Sequence, residues 1–229
     1  MTDTRAKTIE RLAEKILSRQ SSRPTRLAID GRTASGKSTL ADELSQEIEQ
    51  AKRPVIRTSI DGFHRPRVER YARGRYSAEG YYHDARDLNA IVRLLLKPLG
   101  EGGNRHYCTA SFDLVGDVPL PFDYRIAESD AVLVVDGTFL QRPQLRPWWD
   151  FVIFVDTEEA VAEQRGVARD AAHLGHTELA TRLFAERYRP AFDLYIGEVD
   201  PQAEADAVFV NDDFNNPTLT IRDCESSGR

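Results

Sequence analysis

Gly31, Gly36, Lys37 and Ser38 have the spacing G-x-x-x-x-G-K-[ST], which is typical of a loop that binds phosphate groups. An apolar run ends at the first glycine, and a helical pattern begins at Lys37. The glycines let the backbone curl so that successive N–H groups point at phosphate oxygens, and the dipole of the following helix adds to the attraction. A lysine here bridges the β- and γ-phosphates, and the serine hydroxyl binds Mg²⁺. An ordinary glycine turn is the alternative interpretation.

A carboxylate follows the second strand-like segment, at Asp61 in the sequence SIDGFH of residues 59–64. Transfer of a phosphoryl group to an alcohol needs a carboxylate that orients the hydroxyl group and accepts its proton. Asp61 has the chemistry for this role, and two ring side chains, Phe63 and His64, follow it. A helix cap or a turn is the alternative use of an aspartate at such a position.

Strand-like segments alternate with helical patterns along the chain, which indicates an α/β fold with a mostly parallel sheet and helices on both faces. The strands are predicted at residues 26–30, 54–61, 130–137, 150–156 and 207–210, and the helices at residues 37–50, 87–96, 158–170 and 178–194. Ligands of such sheets bind at the carboxyl ends of the strands. We expect the acidic groups at four of these ends to collect along one edge, namely Asp30, Asp61, Asp136 and Asp156.

The remaining segments surround this predicted sheet. Residues 1–22 have an amphipathic helical pattern. Residues 62–86 and 100–121 are rich in Gly, Pro, Tyr and Arg, and we predict them to be long excursions of the kind that carries function. Within the second excursion, residues 105–114 are predicted to form a short strand or a hairpin. Residues 213–229 are predicted to be a tail.

Composition and charge narrow the range of partners. The chain has 229 residues and a net charge of −6 at pH 7, which disfavours general nucleic-acid binding because such binding relies on positive potential. No apolar run approaches the roughly 20 residues of a membrane helix, and the N-terminus shows no secretory pattern. Cys108 and Cys224 lie far apart without metal-ligand spacing. We expect a cytoplasmic protein with no nucleic-acid or membrane partner. Assembly into a homo-oligomer remains an open alternative.

Other classes of nucleotide-binding protein share the glycine-loop motif. A GTPase would read guanine through Asn-Lys-x-Asp, and the chain contains no Asn-Lys pair. The sequence DLVG of residues 113–116 matches a switch loop but follows no core strand, so we interpret it as a turn. A motor-type ATPase is disfavoured because the chain is short and shows no second recognition module. A nucleotide-binding regulator without turnover remains an open alternative.

The order of the motifs resembles the uridine kinase and phosphoribulokinase group, which also includes a type of pantothenate kinase. The glycine loop and the Ser-x-Asp-x-Phe segment are followed by VLVVDGTFL at residues 132–140 and by the lid sequence Arg-x-x-x-Arg-Asp at residues 165–170. RYRPAFDLYI at residues 187–196 and EADAVFVND at residues 204–212 resemble the closing helix and last strand of the group. The resemblance covers residues 26–212.

The resemblance implies a fold, cofactors and site residues. The fold is a P-loop NTPase-type sandwich, as one kinase domain over residues 1–229, with a sheet of about five strands and a helical lid at residues 165–180. ATP and Mg²⁺ are the implied cofactors, and Ser38 and Asp136 are the implied metal-binding residues. The implied catalytic residues are Asp61, Lys37, Arg165 and Arg169, of which the two arginines share one helix face at i and i+4. The implied nucleotide-binding residues are Gly31, Thr33, Ala34, Ser35, Gly36, Lys37, Ser38 and Thr39.

The acceptor half departs from the group. Uridine kinases carry Asn-Phe-Asp-His-Pro where this chain has YYHDARDL at residues 81–88, and their Tyr-Asp-Phe segment is replaced by HYCTASFD at residues 106–113. We predict ATP-dependent transfer of the γ-phosphate to a hydroxyl group of a small nucleoside-like acceptor, with a sugar or a pantothenate-like alcohol as the alternative. The residues expected to contact the acceptor are Asp61, Phe63, His64, Tyr82 and Tyr107.

Overall fold

The computed structural model describes residues 4–19 and 21–222, without the side chains of residues 173 and 174. Cys224 and the end of the predicted tail lie outside the described residues. The strands, in chain order, are β1 (Thr25–Gly31), β2 (Val55–Ser59), β3 (His106–Tyr107), β4 (Phe112–Asp113), β5 (Val118–Pro119), β6 (Arg125–Ile126), β7 (Val132–Asp136), β8 (Phe151–Asp156), β9 (Ala207–Val210) and β10 (Thr218–Ile221).

Seven α-helices and several shorter helical turns connect these strands within the described residues. The helices are α1 (Thr4–Leu17), α2 (Lys37–Gln50), α3 (Arg67–Arg70), α4 (Leu88–Ile91), α5 (Glu159–Leu174), α6 (Thr177–Leu183) and α7 (Arg189–Glu198). Segments with π-helical hydrogen bonding lie at Gly80–Asp84, Val92–Leu96 and Phe184–Tyr188, and 3₁₀ turns lie at Ile60–Phe63 and Arg146–Trp148. None of the described helices is long and apolar enough to cross a lipid bilayer.

The central sheet has six strands in the order β10-β9-β8-β1-β7-β2. Five of them run parallel, and β10 pairs antiparallel with β9 at the edge. The predicted α/β fold is therefore confirmed, with one strand more than the five predicted. The extra strand, β10, lies in the segment predicted as a tail. The sequence did not predict it because Thr218–Ile221 alternates polar and apolar residues over only four positions.

Helices cover both faces of this sheet, as predicted. On one face, α1 and α2 bury Leu12, Ile16, Leu40 and Leu44 against the strands. On the other face, α4, α7 and the π-helical segments bury a larger cluster that includes several aromatic rings. The strands are apolar on both sides for this reason, and β1 and β7 are buried along their whole length.

The two predicted excursions are ordered but contribute no strand to the central sheet. The first contains the 3₁₀ turn, α3 and the first π-helical segment. The second contains β3 and β4, which pair antiparallel with β6 and β5 in two separate two-stranded sheets. The first excursion starts at the carboxyl end of β2. The second starts beside Arg26, at the amino end of β1, and meets the first where the N–H of Ser111 donates to the carbonyl oxygen of Gly62 at 2.8 Å.

Candidate active site

The glycine loop connects β1 to α2 and is held in place by the end of β9. Gly36 precedes the first residue of α2 and has a φ of 96°, a backbone conformation that residues other than glycine rarely adopt. A Cβ at this position would lie 2.4 Å from Nδ2 of Asn211. That same Nδ2 donates a hydrogen bond of 2.7 Å to the carbonyl oxygen of Ser35. The loop therefore depends on a residue far away in the sequence for its shape.

Lys37 is buried at the start of α2, with 7% of its surface exposed. Its Nζ donates to the carbonyl oxygen of Arg32 at 2.5 Å. Burial lowers the pKa of Lys37, and the charges of Asp30 and Asp136 only partly oppose this effect. An ammonium group held away from water by a carbonyl oxygen favours the arrival of an anion, because a buried charge is costly without a charged partner.

Ser38, Asp136 and Arg57 form a polar group at the carboxyl end of β7. The Ser38 hydroxyl donates to Oδ2 of Asp136 at 2.6 Å, and Nη1 of Arg57 donates to Oδ1 of the same carboxylate at 2.6 Å. A hydroxyl and a carboxylate are oxygen donors of the kind that Mg²⁺ binds, together with phosphate oxygens and water. Among the described residues no cluster of three or more His, Cys, Asp or Glu could hold a metal ion by itself. The Ser38–Asp136 pair thus fits Mg²⁺ that arrives with a phosphate ligand.

Asp61 lies on the 3₁₀ turn after β2 and is paired with Arg86. Nη2 of Arg86 donates to Oδ1 of Asp61 at 2.6 Å, and Nε2 of His64 lies 3.4 Å from the same oxygen. Burial alone would raise the pKa of Asp61, but Arg86 and His64 outweigh burial and hold it well below its usual range. The carboxylate side chain keeps 56% of its surface exposed, so its free oxygen faces open space.

One cavity of about 570 Å³ brings these groups together. The glycine loop lies at one end, and Asp61 and Arg86 lie on the side of the first excursion. Of the predicted site residues, the cavity is lined by Thr33, Ala34, Gly36, Lys37, Ser38, Thr39, Asp61, Asp136, Arg165 and Arg169.

The two arginines of the predicted lid both line this cavity from α5, but they are held differently. Nη1 and Nη2 of Arg165 donate to the carbonyl oxygens of Asn211 and Asp212 at 2.8 and 2.6 Å. Nε of Arg169 donates to Oδ1 of Asp170 at 2.8 Å, and half of the Arg169 side chain is exposed. Arg165 is thus bound to the end of β9, whereas Arg169 projects into the cavity beside a carboxylate on its own helix.

Other predicted residues are placed outside the cavity lining. Phe63, Tyr82 and Tyr107 are packed in the apolar cluster of the sheet face, and His64 is buried behind Asp61 with Nδ1 donating to the carbonyl oxygen of Ala85. Tyr82 donates its hydroxyl proton to Glu198, away from the cavity. The structure brings none of these four rings to the cavity wall, because the apolar cluster takes the three aromatic rings.

Two residues of the glycine loop and two of the aspartates at strand ends also lie outside the cavity lining. Gly31 approaches β8 so closely that a Cβ would lie 2.5 Å from the carbonyl oxygen of Val155, and Ser35 is fully buried. Asp30 is buried against Tyr195 and Gln141, and burial raises its pKa. Asp156 lies outside the cavity lining as well. The four strand-end aspartates therefore share an edge but not a site.

Sequence reasoning did not name several lining residues as site residues, although Tyr188 and Asn211 lie in segments that resemble the family. Arg86 and Tyr81 come from the first excursion, Tyr188 comes from the π-helical segment before α7, and Asn211 follows β9. The rings of Tyr81 and Tyr188 are 5.2 Å apart between centroids. The sequence YYHDARDL contained two of these residues, but nothing in it distinguishes Tyr81 from Tyr82.

Comparisons with known proteins identify the family and the fold. The family described as phosphoribulokinase/uridine kinase matches residues 27–213. Uridine-cytidine kinase B of Dictyostelium discoideum is 29% identical over 181 residues, which are 77% of this chain and 71% of that protein. A possible uridine kinase from Bacillus stearothermophilus is 26% identical, with a TM-score of 0.69 over 88% of this chain and 97% of its own. A putative fructose transport system kinase from Silicibacter sp. TM1040, 20% identical, shares the fold with a TM-score of 0.68 over 83% of this chain and 95% of its own.

Proposed function

The chain belongs to the phosphoribulokinase/uridine kinase family and is a P-loop phosphotransferase with a hydroxyl acceptor, and we propose that it transfers the γ-phosphate of ATP to a small nucleoside-like molecule. One observation carries the proposal. Lys37 and the Ser38–Asp136 pair face the same cavity as the ionised carboxylate of Asp61. A donor phosphate and an acceptor hydroxyl can therefore be brought together in one cavity.

The glycine loop would hold the triphosphate through its backbone N–H groups and Lys37. The residues assigned to this role are those predicted from the sequence, and those lining the cavity are the ones that would contact phosphate oxygens. Gly36 and Lys37 stand at the N-terminus of α2, where the helix dipole favours an anion. Within the described residues no carboxylate forms an ion pair with the buried ammonium of Lys37, and a phosphate would supply that partner.

Ser38 and Asp136 would hold the metal ion, with Arg57 keeping the carboxylate oriented. A bound Mg²⁺ would supply positive charge that offsets the charge of the phosphates. Arg57 donates to Oδ1 of Asp136 and the Ser38 hydroxyl donates to Oδ2, so the two groups that would bind the metal are adjacent. They would hold the metal beside the glycine loop.

Asp61 would orient the acceptor hydroxyl and accept its proton. Arg86 keeps the carboxylate ionised and fixes one of its oxygens, which leaves the other oxygen for the acceptor. A carboxylate with a low pKa suits this reaction because the hydroxyl proton leaves late in a loose phosphoryl-transfer transition state. Arg165 and Arg169 would then neutralise charge on the transferred group.

Two features favour a nucleoside-like acceptor over the alternatives. The curated relative is named for uridine and cytidine. The acceptor side of the cavity is lined by Tyr188, whose ring is only partly buried, and an aromatic face suits the stacking of a base. Tyr188 would take the role that the sequence suggested for Phe63, Tyr82 and Tyr107.

The experiment that tests the proposal is ADP release from ATP and Mg²⁺ with a panel of nucleosides, sugars and pantothenate. We expect release to depend on the acceptor and to be fastest with a pyrimidine nucleoside. Asp61→Asn should lower kcat by about a hundredfold or more, the usual size of a general-base contribution, while ATP affinity stays nearly constant. ATP binding without acceptor-dependent turnover would instead indicate a nucleotide-binding regulator, and fastest turnover with a sugar or pantothenate would reassign the acceptor.

A further inference from the structure

A second cavity lies next to the candidate active site, on the far side of Arg169 and Tyr188. Its volume is about 330 Å³, and we call it the arginine cavity; it is lined by Tyr71, Arg75, Arg169, Asp170, Leu183, Arg187 and Tyr188. Arg169 and Tyr188 line both cavities and form the wall between them. A volume of this size is much larger than the roughly 30 Å³ that one water molecule occupies in the liquid.

The arginine cavity carries an excess of positive charge. Three guanidinium groups line it, those of Arg75, Arg169 and Arg187, and they face a single carboxylate, that of Asp170. Oδ1 of Asp170 accepts a hydrogen bond from Nε of Arg169 at 2.8 Å. The carboxylate is thereby paired with one arginine, and two positive charges of the lining are left over.

Arg187 is the central group of this cavity, and its charge is buried without a counter-ion. Only 6% of Arg187 is exposed. Its Nη1 donates to the carbonyl oxygen of Arg75 at 2.8 Å, and its Nε has no hydrogen-bond partner. Within residues 4–19 and 21–222, no carboxylate forms an ion pair with Arg187. Burying a charge in this way is costly unless an anion joins it.

Aromatic rings surround Arg187 where a carboxylate would be expected. The guanidinium carbon lies 4.7 Å from the ring centroid of Tyr81 and 5.1 Å from that of Tyr71. Burial by itself would raise the pKa of the Tyr71 phenol, but Arg187 and Arg70 outweigh burial and lower it. The lowered pKa of a neutral group on the cavity wall reports the positive potential that these arginines produce. Ring faces offset only part of the cost of burying the cation.

We propose that the arginine cavity binds an anionic group, a phosphate or a carboxylate, at a site separate from the glycine loop. Guanidinium groups hold such groups through paired N–H donors in a planar fork. The anion belongs either to a substituent of the acceptor, which reaches past Tyr188, or to a separate small molecule. In both cases it shares Arg169 with the candidate active site, so its binding affects the arginine that faces the transferred phosphoryl group.

Inorganic phosphate is the probe that tests this proposal, with the glycine loop blocked by a saturating non-hydrolysable ATP analogue and Mg²⁺. Titration calorimetry and the melting temperature measure its binding. We expect the wild type to bind one further phosphate and to melt at a higher temperature as phosphate is added. Arg187→Gln removes the charge and keeps a polar side chain, and it should weaken phosphate binding by about tenfold or more.

Arg182→Gln is the matched control. It removes the same charge from α6, where Arg182 is exposed and paired with Glu186 outside both cavities, and it should leave phosphate binding unchanged. In phosphate-free buffer, Arg187→Gln should be as stable as the wild type or more so, because it removes an uncompensated buried charge. Arg75→Gln, at an exposed lining position, should weaken phosphate binding without affecting folding and serves if Arg187→Gln does not fold.

Two results would overturn the proposal. The first is a wild type that binds no phosphate beside the bound analogue, and the second is an Arg187→Gln or Arg75→Gln variant that binds phosphate as the wild type does. Steady-state kinetics separate the two sources of the anion. Phosphate that raises the KM of the acceptor without changing kcat marks a substituent site, and phosphate that changes kcat marks a separate ligand. The binding measurements need no turnover, so they hold even if the proposed reaction fails.

Discussion

At the scale of single residues, the contact between Asp61 and Arg86 is the main feature of the proposed acceptor side of the site. Arg86 is buried, binds one oxygen of the carboxylate and stacks over the ring of Tyr81. The same guanidinium therefore fixes the direction of the proposed base and its ionisation state. We regard Arg86 as a positioning residue, because it acts through Asp61.

Arg86→Gln should move the acid limb of the kcat/KM profile to higher pH. The wild-type pKa of Asp61 is held low by the positive charge of Arg86, so the carboxylate stays ionised as pH falls. Without that charge, burial raises the pKa, and the proton that inactivates the base binds at a higher pH. Kinetics across the acid range measure the shift. Arg86→Lys keeps the charge and should restore the wild-type acid limb in part. An acid limb that does not move in Arg86→Gln would show that Arg86 does not control the ionisation of Asp61.

At the scale of elements, α5 is the element that connects the nucleotide side to the acceptor side. Arg165 attaches it to the end of β9, which in turn holds the glycine loop through Asn211. Arg169 stands one turn later and projects into the cavity. A closing movement of α5 and α6 would therefore carry Arg169 while Arg165 acts as the attachment.

Arg169→Ala should lower kcat by roughly two to three orders of magnitude and change the KM for ATP only modestly. The guanidinium would act mainly on charge that develops as the phosphoryl group transfers, so its loss affects turnover more than binding. Arg169→Lys should recover part of the rate because lysine lacks the planar fork. Steady-state kinetics at varied ATP measure both parameters. Full kcat in Arg169→Ala would show that the Asp170 contact is structural and that another group serves the phosphoryl group.

Gly166→Ala should disturb the packing of α5 against the π-helical segment Phe184–Tyr188, which precedes α7. A Cβ at Gly166 would lie 1.9 Å from the ring of Phe184, which is buried. We expect a loss of about 1–3 kcal/mol in the free energy of unfolding, the usual cost of overpacking, together with lower kcat. Gly197→Ala on α7 is the control, because its Cβ meets open space and a helical alanine stabilises by about 0.5–1 kcal/mol. Urea unfolding compares the two, and equal stabilities would contradict the close packing.

At the scale of the whole molecule, α1 is tied to the nucleotide side of the sheet by Arg5. Its guanidinium binds the carboxylate of Glu43 on α2 with a shortest distance of 2.6 Å, and its Nη1 donates to Oδ1 of Asn211 at 3.0 Å. It also lies over the ring of Phe214, 4.0 Å from the centroid. The N-terminal helix, α2 and the β9–β10 connection are thereby joined at one buried group.

Arg5→Ala should destabilise the protein and weaken ATP binding together. The loss of several charge-assisted hydrogen bonds, one of them to a partly exposed carboxylate, costs about 2–3 kcal/mol. Asn211 loses the partner of its Oδ1, so the amide that holds the Ser35 carbonyl is less well oriented. Arg11→Ala, exposed on the same helix, should change neither property. Urea unfolding and ATP titration measure the two effects. An unchanged ATP affinity in a destabilised Arg5→Ala variant would show that α1 does not influence nucleotide binding by the glycine loop.

Much of the fold followed from the sequence, because its patterns are local. The five parallel strands and the helices after them rest on runs of apolar residues, and a run of this kind buries itself on a sheet in any context. The glycine loop is equally local, since Gly36, Lys37 and Ser38 lie within one turn of a strand end and a helix start. The family, the fold class and the kinase chemistry predicted from these patterns are confirmed.

The acceptor side was decided by the tertiary structure alone, because contacts between distant segments are not written in any local pattern. Arg86 reaches Asp61 across 25 residues, and Asn211 reaches the glycine loop across 176. Tyr81 and Tyr82 are adjacent and identical in type. Phe139 contacts both rings, but Tyr82 also packs against Tyr195, whereas Tyr81 lines the cavity. The sequence by itself determined the glycine loop between a strand and a helix, because that pattern is local, and the packing of the π-helical segments determined which distant side chains line the cavity beside it.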